Sequence, residues 1–415
     1  MANLNINFAG IKSPNPFWLA SAPPTNMGSM IERAFDAGWG GAVWKTLGEP
    51  ITNVSSRLAG LDFGTNRLVG LNNIELITDR PLEVNLKEIY ECKKKYPNNA
   101  VIVSLMVESK REAWHEIVKR SQDTGADGFE LNFGCPHGMS ERGMGAAMGQ
   151  VPEYTCMVTE WVKEVSELPV IVKLTPNVTS ILPPGRAAQN GGADAVSLIN
   201  TINSMMGVDV NTLVPHPNVN GMAAHGGYCG PAVKPIALNM VSELARDGEF
   251  NIPISGIGGV SNWRDAVEFM LLGAGSVQVC TAVMHYGYRI VEDMIDGLNA
   301  YLDSKGFASV SEIIGKSVPR VTNWGDLDLN YVVKAHVNEE HCIRCNLCYV
   351  ACEDGAHQSF EFVESNGLRY PRVIEEECVG CNLCYLVCPS PGAITMERRD
   401  AGSSSQSWRE RTEAS

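Results

Sequence analysis

Eight short runs of apolar, largely β-branched residues recur along the amino-terminal part of the chain: FWLAS (17–21), GAVWKT (41–46), VIVSLM (101–106), GFELNF (128–133), VIVKLT (170–175), AVSLIN (195–200), ISGIGG (254–259) and VQVCTA (277–282). Runs this short, without polar alternation, suit strands buried on both faces of a parallel sheet. Between them lie amphipathic stretches such as REAWHEIVKRSQDTG before Gly128 and PEYTCMVTEWVKEVSEL before Pro169, which the spacing predicts as helices. Eight alternating units predict an α/β fold, a (β/α)8 TIM barrel, for which ~250 residues is typical. A doubly wound open sheet is the plainer competitor. In a barrel the carboxyl ends of the strands share one face, and polar residues stand at those ends: Ser21, Lys45, Asn132, Lys173, Asn200, Gly258 with Gly259, and Thr281.

A second pattern begins where the first stops. CIRCNLCYVAC, from Cys342, is nearly copied by CVGCNLCYLVC, from Cys378. The expected organisation is a barrel over 1–302, a connecting arm over 303–335, and a small two-cluster ferredoxin-like α+β domain over 336–398. A polar, Ser-rich tail over 399–415 is expected to carry no fold.

Each copy reads C-x2-C-x2-C-x3-C, with Pro389 after the second. Three closely spaced cysteines wrap one cubane while the fourth projects toward the other cluster. Crosswise ligation predicts one [4Fe-4S] cluster on Cys342, Cys345, Cys348 and Cys388, and another on Cys378, Cys381, Cys384 and Cys352. Structural zinc is the plainer alternative, but eight thiols in a duplicated pattern favour iron. Such clusters move single electrons, so the barrel must carry the two-electron chemistry. No G-x-G-x-x-G stands at a strand-to-helix junction; GIGGV (256–260) has the wrong spacing. Electrons are therefore expected from a partner that binds the nicotinamide.

Composition removes other classes. Across 415 residues the net charge is −14, with no Lys/Arg-rich run, so there is no footprint for nucleic acid. No apolar run nears the ~20 residues of a membrane span, and MANLNINFAG lacks a signal-peptide pattern, so a cytoplasmic protein is expected.

The glycines of ISGIGG and the CTA of VQVCTA follow strands seven and eight, where barrels commonly hold a phosphate on backbone N–H groups. FMN fits such a place, and Lys45 and Lys173 would lend positive charge beside its ring; a buried lysine with a structural carboxylate partner is the plainer reading of each. The segment 130–150 turns from strand into a loop carrying Gly134, Gly138, Gly143, Gly145 and Gly149, the composition of a lid. Cys135, just past the strand end, is placed to act as a general acid, although a lone cysteine before proline is more often a packing residue. Cys229 and Cys280 compete weakly for that role. Asn73, Asn132, Asn200 and Thr201 offer the paired donors and acceptors that match a pyrimidine ring.

LNFGCPHGMSERGMGAAMGQ, VIVKLTPNVT, SLINT, HGGYCGPAVKPIAL, SGIGG and VQVCTAV, with the duplicated cysteine motif, resemble dihydropyrimidine dehydrogenases, in particular the pyrimidine-reducing subunit of the bacterial two-subunit form. The resemblance spans roughly Asn15 to Met396. It implies reduction of uracil and thymine at the 5,6 bond, with hydride from FMN and a proton from Cys135. Asn73, Asn132, Asn200 and Thr201 would hold the pyrimidine. Ser21, Lys45, Thr46, Lys173, Gly230, Gly258, Gly259, Cys280 and Thr281 would surround FMN. It further implies a separate FAD-containing subunit that oxidises NADH. A dihydroorotate dehydrogenase-like FMN enzyme, or an electron-carrying ferredoxin with a relic barrel, are the alternatives.

Overall fold

A computed structural model of the chain describes residues 2–365, 367–399 and 404–413. The chain divides into two units at Val321/Thr322, within the stretch expected as an arm.

All eight apolar runs form parallel strands, and they close in sequence order into a barrel rather than an open sheet. The strands are Phe17–Leu19, Gly41–Leu47, Ala100–Leu105, Gly128–Asn132, Val170–Lys173, Ala195–Leu198, Ile254–Ile257 and Ala274–Val279. Helices cover their outer faces. In Arg111–Gln122 the buried residues Trp114, Ile117, Val118 and Ser121 recur at helical spacing, which is why that stretch packs as one stripe on the barrel. The Asn262 side chain caps Trp263–Leu271 by accepting from the backbone N–H groups of Arg264 and Asp265.

A hairpin of Ile6–Phe8 and Ile11–Ser13 packs near the amino-terminal ends of the strands. There Phe8 stacks edge-on against Trp18 at 5.5 Å between ring centroids. After the second and sixth barrel strands the chain builds a four-stranded antiparallel sheet in the order Ile202–Ser204, Gly226–Cys229, Asn66–Asn73, Leu58–Phe63. The start of the expected arm belongs to the barrel unit, since Val310 and Ile313 are buried in its core.

The second unit pairs Val333–Val337 with Ile394–Arg398, and Phe360–Ser365 with Leu368–Val373, all antiparallel. Two short helices, Leu347–Glu353 and Leu383–Val387, carry the later cysteines of each motif. The sequence repeat is also a backbone repeat. Asn346 and Asn382, before the two helices, both adopt positive φ, as do the matching residues Arg344 and Gly380. The tail departs from expectation. Leu329 N–H donates to the Gln406 carbonyl at 2.9 Å, Asn330 Nδ2 donates to Ser404 O at 2.6 Å, and Trp408 of the helix Trp408–Glu413 lies 6.4 Å from the Trp324 ring. Aromatic and backbone contacts thus hold residues 404–413 despite their polar composition; 400–403 and 414–415 lie outside the described residues. No helix among the described residues is long and apolar enough to cross a membrane.

Candidate active site and iron-sulfur ligands

The carboxyl ends of the barrel strands and the antiparallel sheet enclose a cavity of about 1180 Å³, measured out to its open mouth. Every residue assigned to the pyrimidine or FMN from the sequence lines it, with Cys135, from Ser21 after the first strand to Thr281 after the eighth. Adjacent strands join their polar side chains into one chain of bonds. Ser21 Oγ lies 3.1 Å from Thr46 Oγ1, which in turn lies 2.9 Å from Ser104 Oγ and accepts from Asn132 Nδ2 at 3.1 Å. Asn132 Oδ1 accepts from Asn200 Nδ2 at 2.9 Å, and Asn200 Oδ1 accepts the Thr201 N–H at 2.8 Å. Asn73, on the antiparallel sheet, donates through Nδ2 to Gly227 O at 3.0 Å. These bonds fix which face each amide turns to the cavity.

Both lysines have the carboxylate partners that the plainer reading asks for, and both still line the cavity. Lys45 pairs with Glu75, which also meets Arg57 Nε at 3.4 Å. Lys173 Nζ lies 3.3 Å from Glu130 Oε1.

The glycine-rich segment is packed rather than loose. Met139 and Met144 are buried with Ile77 and Met106, and the Ala146 N–H donates to Cys135 O at 3.0 Å. A Cβ on Gly149 would stand 2.0 Å from the Phe133 carbonyl oxygen, so only glycine lets the two ends of this loop meet. Cys135 Sγ is 3.5 Å from His137 O. Burial pushes the Cys135 thiol up to about 11, against a weaker opposing effect of the His137 backbone. Burial likewise pushes Cys280 up to about 12 and raises Cys229, whose Sγ is 3.2 Å from Leu71 O.

The residues present fit FMN. Gly230, Gly258 and Gly259 all have positive φ; a Cβ on Gly258 would stand 2.8 Å from Ala237 Cβ, and one on Gly259 3.0 Å from Gly230 O. The result is a backbone cradle after strands six and seven that no side chain fills. Gln278 Oε1 on the eighth strand is buried without a partner.

In the second unit Cys342, Cys345, Cys348 and Cys388 line one hollow of about 320 Å³. They line its wall rather than meeting at a point, and among the described residues no three His, Cys, Asp or Glu groups converge on a single-ion site. Cys384 is pushed up to about 11, chiefly by burial, with Cys378, Cys381 and Cys352 among the neighbours that would repel its thiolate. Burial disfavours the thiolate at both Cys348 and Cys384, so these thiols need a nearby cation to stay ionised.

Residues 3–302 match the family model for dihydroorotate dehydrogenase, and residues 335–396 match that for a 4Fe-4S dicluster domain. The chain is 43% identical over 364 residues to the NAD-dependent dihydropyrimidine dehydrogenase subunit PreA of Escherichia coli K12, covering 87% of this chain and 88% of that protein. The chain belongs to the dihydropyrimidine dehydrogenase family. A chloroplastic dihydropyrimidine dehydrogenase (NADP(+)) of Arabidopsis thaliana is 42% identical over 78% of this chain and 79% of its own length. The catalytic subunit of dihydroorotate dehydrogenase B (NAD(+)) of Pyrococcus abyssi is 38% identical over 75% of this chain and 98% of its own length. As a member of the dihydropyrimidine dehydrogenase family this chain is an oxidoreductase whose cofactors are FMN in the barrel and [4Fe-4S] clusters in the second unit.

Sequence reasoning missed six polar residues at or beneath the cavity: Glu75, Glu130, His137, Tyr228, Ser261 and Gln278. Glu130 itself is sealed in the barrel interior beneath it; the others line the wall. Glu130 and Gln278 carried a signal, since each interrupts a run of buried strand residues. Glu75 and Tyr228 carried none, because they reach the cavity from the antiparallel sheet and its flank.

Gly149→Ala should lower turnover on the order of 10²-fold, as expected when a reacting group is misplaced by about 1 Å, with FMN and iron content unchanged. A raised pKa favours the neutral thiol, so Cys135 keeps its proton at neutral pH and loses it only as pH climbs toward about 11. Alkylation of Cys135 by iodoacetamide should accordingly stay slow through the ~8.5 at which ordinary thiols ionise, followed by peptide mapping across a pH series.

Proposed function

We propose that this chain is the pyrimidine-reducing subunit of a two-subunit dihydropyrimidine dehydrogenase of the cytoplasm. It interconverts uracil or thymine and the 5,6-dihydro forms, and takes electrons from an FAD-containing partner that oxidises NADH. The observation that carries this reading is the joining, in one cavity, of a half-buried thiol with three amide side chains, on a chain that also carries the duplicated four-cysteine motif.

FMN, when bound, supplies the two-electron transfer to the ring double bond. The chain's own groups do the rest. Asn73, Asn132 and Asn200, with Thr201, offer the kinds of donor and acceptor that alternating C=O and N–H groups on a pyrimidine edge require. Cys135 holds at Sγ the proton given to C5, and general acid catalysis of this kind is worth about 10² to 10⁴-fold. The packed loop around Met139 and Met144 backs one side of the thiol. Ser21, Lys45, Thr46, Lys173, Gly230, Gly258, Gly259, Cys280 and Thr281 surround FMN. Cys342, Cys345, Cys348 and Cys388 hold one cluster; Cys378, Cys381, Cys384 and Cys352 hold the other.

The test is analysis of anaerobically purified protein followed by turnover assays. The expected content is one FMN with about eight iron and eight sulfide per chain. Pyrimidine reduction should proceed with an artificial donor and show little dependence on NADH until the flavoprotein partner is added. Zinc in place of iron, or robust NADH oxidation by the chain alone, would contradict the reading.

A further inference from the structure

The interior of a (β/α)8 barrel is ordinarily filled by Val, Ile and Leu in layers. Here the fourth strand places a carboxylate there. Glu130 is 0% exposed, and three strands other than its own turn donors toward it. Its Oε2 accepts from Ser197 Oγ at 2.8 Å and from Gln278 Nε2 at 2.9 Å, and its Oε1 lies 3.3 Å from Lys173 Nζ. A charge buried this deeply costs far more than its packing returns unless partners hold it ionised. Two of those partners, Lys173 and Gln278, line the cavity.

The bond to Gln278 also decides which way that amide points. A carboxylate only accepts, so Gln278 must turn its NH2 group to Glu130, and Ser255 Oγ lies 3.4 Å from the same nitrogen. The carbonyl oxygen Oε1 is thereby left buried and unpartnered, an arrangement that costs stability in the empty protein and is recovered when a ligand brings an N–H or O–H.

Resting on the proposed FMN site, we propose that Glu130 is a positioning residue for the flavin: a fixed anion that anchors Lys173 and the Gln278 amide beneath the cavity and, by offsetting the Lys173 charge, sets how readily the bound flavin is reduced. Removing the carboxylate leaves the ammonium unopposed, which favours the electron-rich reduced ring. Removing the ammonium leaves the carboxylate unopposed and does the reverse. Removing both returns the local charge to near zero.

The experiment equilibrates the FMN-loaded full chain at a fixed ambient potential and reads the oxidised-to-reduced flavin ratio by absorbance, with thermal melting and FMN content measured on the same samples. Glu130→Gln should lower that ratio at least tenfold, which is 29.6 mV for a two-electron couple. Lys173→Met should raise it by a similar factor, and the double variant should fall near the unmodified protein. If Glu130→Gln does not fold, because one buried charge is stranded, the comparison passes to Lys173→Met against the double variant, whose neutral interior should fold. The double variant must then show a ratio at least tenfold below Lys173→Met. Equal ratios in that pair, or a Glu130→Gln protein that melts earlier while its flavin ratio is unchanged, would reduce Glu130 to a packing role. A chain that takes up no FMN would overturn the functional reading and this inference together; FMN bound with an unmoved ratio overturns this inference alone.

Discussion

Replacing Cys135 by alanine should slow oxidation of the reduced flavin by uracil 10² to 10⁴-fold, or ~3 to 5 kcal/mol of barrel-site barrier, while FMN and iron content stay as in the unmodified chain. The variant removes the proton without opening the cavity, because the backbone around position 135 is held by Ala146 N–H and Ser140 Oγ, both bonded to its carbonyl oxygen. Cys135→Ser should also be slow, since a hydroxyl of similar shape is a far weaker acid than a thiol. Asn132→Ala should behave differently and weaken pyrimidine binding as well as turnover, because it breaks the link between Thr46 and Asn200. Stopped-flow flavin absorbance separates these cases. A Cys135→Ala rate within about threefold of the unmodified protein would return Cys135 to a packing residue before Pro136, given the far larger loss expected of a general acid.

The second large effect belongs to the cysteine sets. Cys388→Ser should take away the cluster shared with Cys342, Cys345 and Cys348, halving iron from about eight to about four per chain. NADH-linked turnover through the partner should fall to background, while pyrimidine reduction with an artificial donor continues in the barrel. Crosswise ligation makes a further demand. Cys388→Ser and Cys348→Ser should leave the same residual paramagnetic signal on reduction, and Cys352→Ser should leave that of Cys384→Ser. Matching within each motif instead, Cys348 with Cys352 and Cys384 with Cys388, would contradict the pairing drawn from the hollow around Cys388.

The barrel was legible because its strands are buried on both faces, so each reads as an unbroken apolar run whatever its neighbours. Leu58–Phe63 has the opposite character: it is largely exposed and its pairing with Asn66–Asn73 leaves no apolar alternation. The sheet that roofs the cavity was therefore invisible, and with it Glu75 and Tyr228. Lys45 and Lys173 could be placed at strand ends, but their carboxylates could not, since Glu75 and Glu130 meet them only through the closed fold. The loop 130–150 looked like an open lid from its glycines; its methionines, which pack it down, were the overlooked signal. The tail was misjudged for a related reason. Composition reports local preference, whereas residues 404–413 are held by Trp324, Leu329 and Asn330, far earlier in the sequence.

The barrel is read here as handing electrons to uracil or thymine. The most direct test is anaerobic: reduce the FMN of the isolated full chain, mix it with uracil, thymine or orotate in turn, and follow the return of oxidised flavin absorbance together with the product. Rapid reoxidation by uracil or thymine is expected, with one dihydropyrimidine formed per flavin oxidised, and none with orotate. Reoxidation by orotate with dihydroorotate as product, and no response to uracil or thymine, would contradict it.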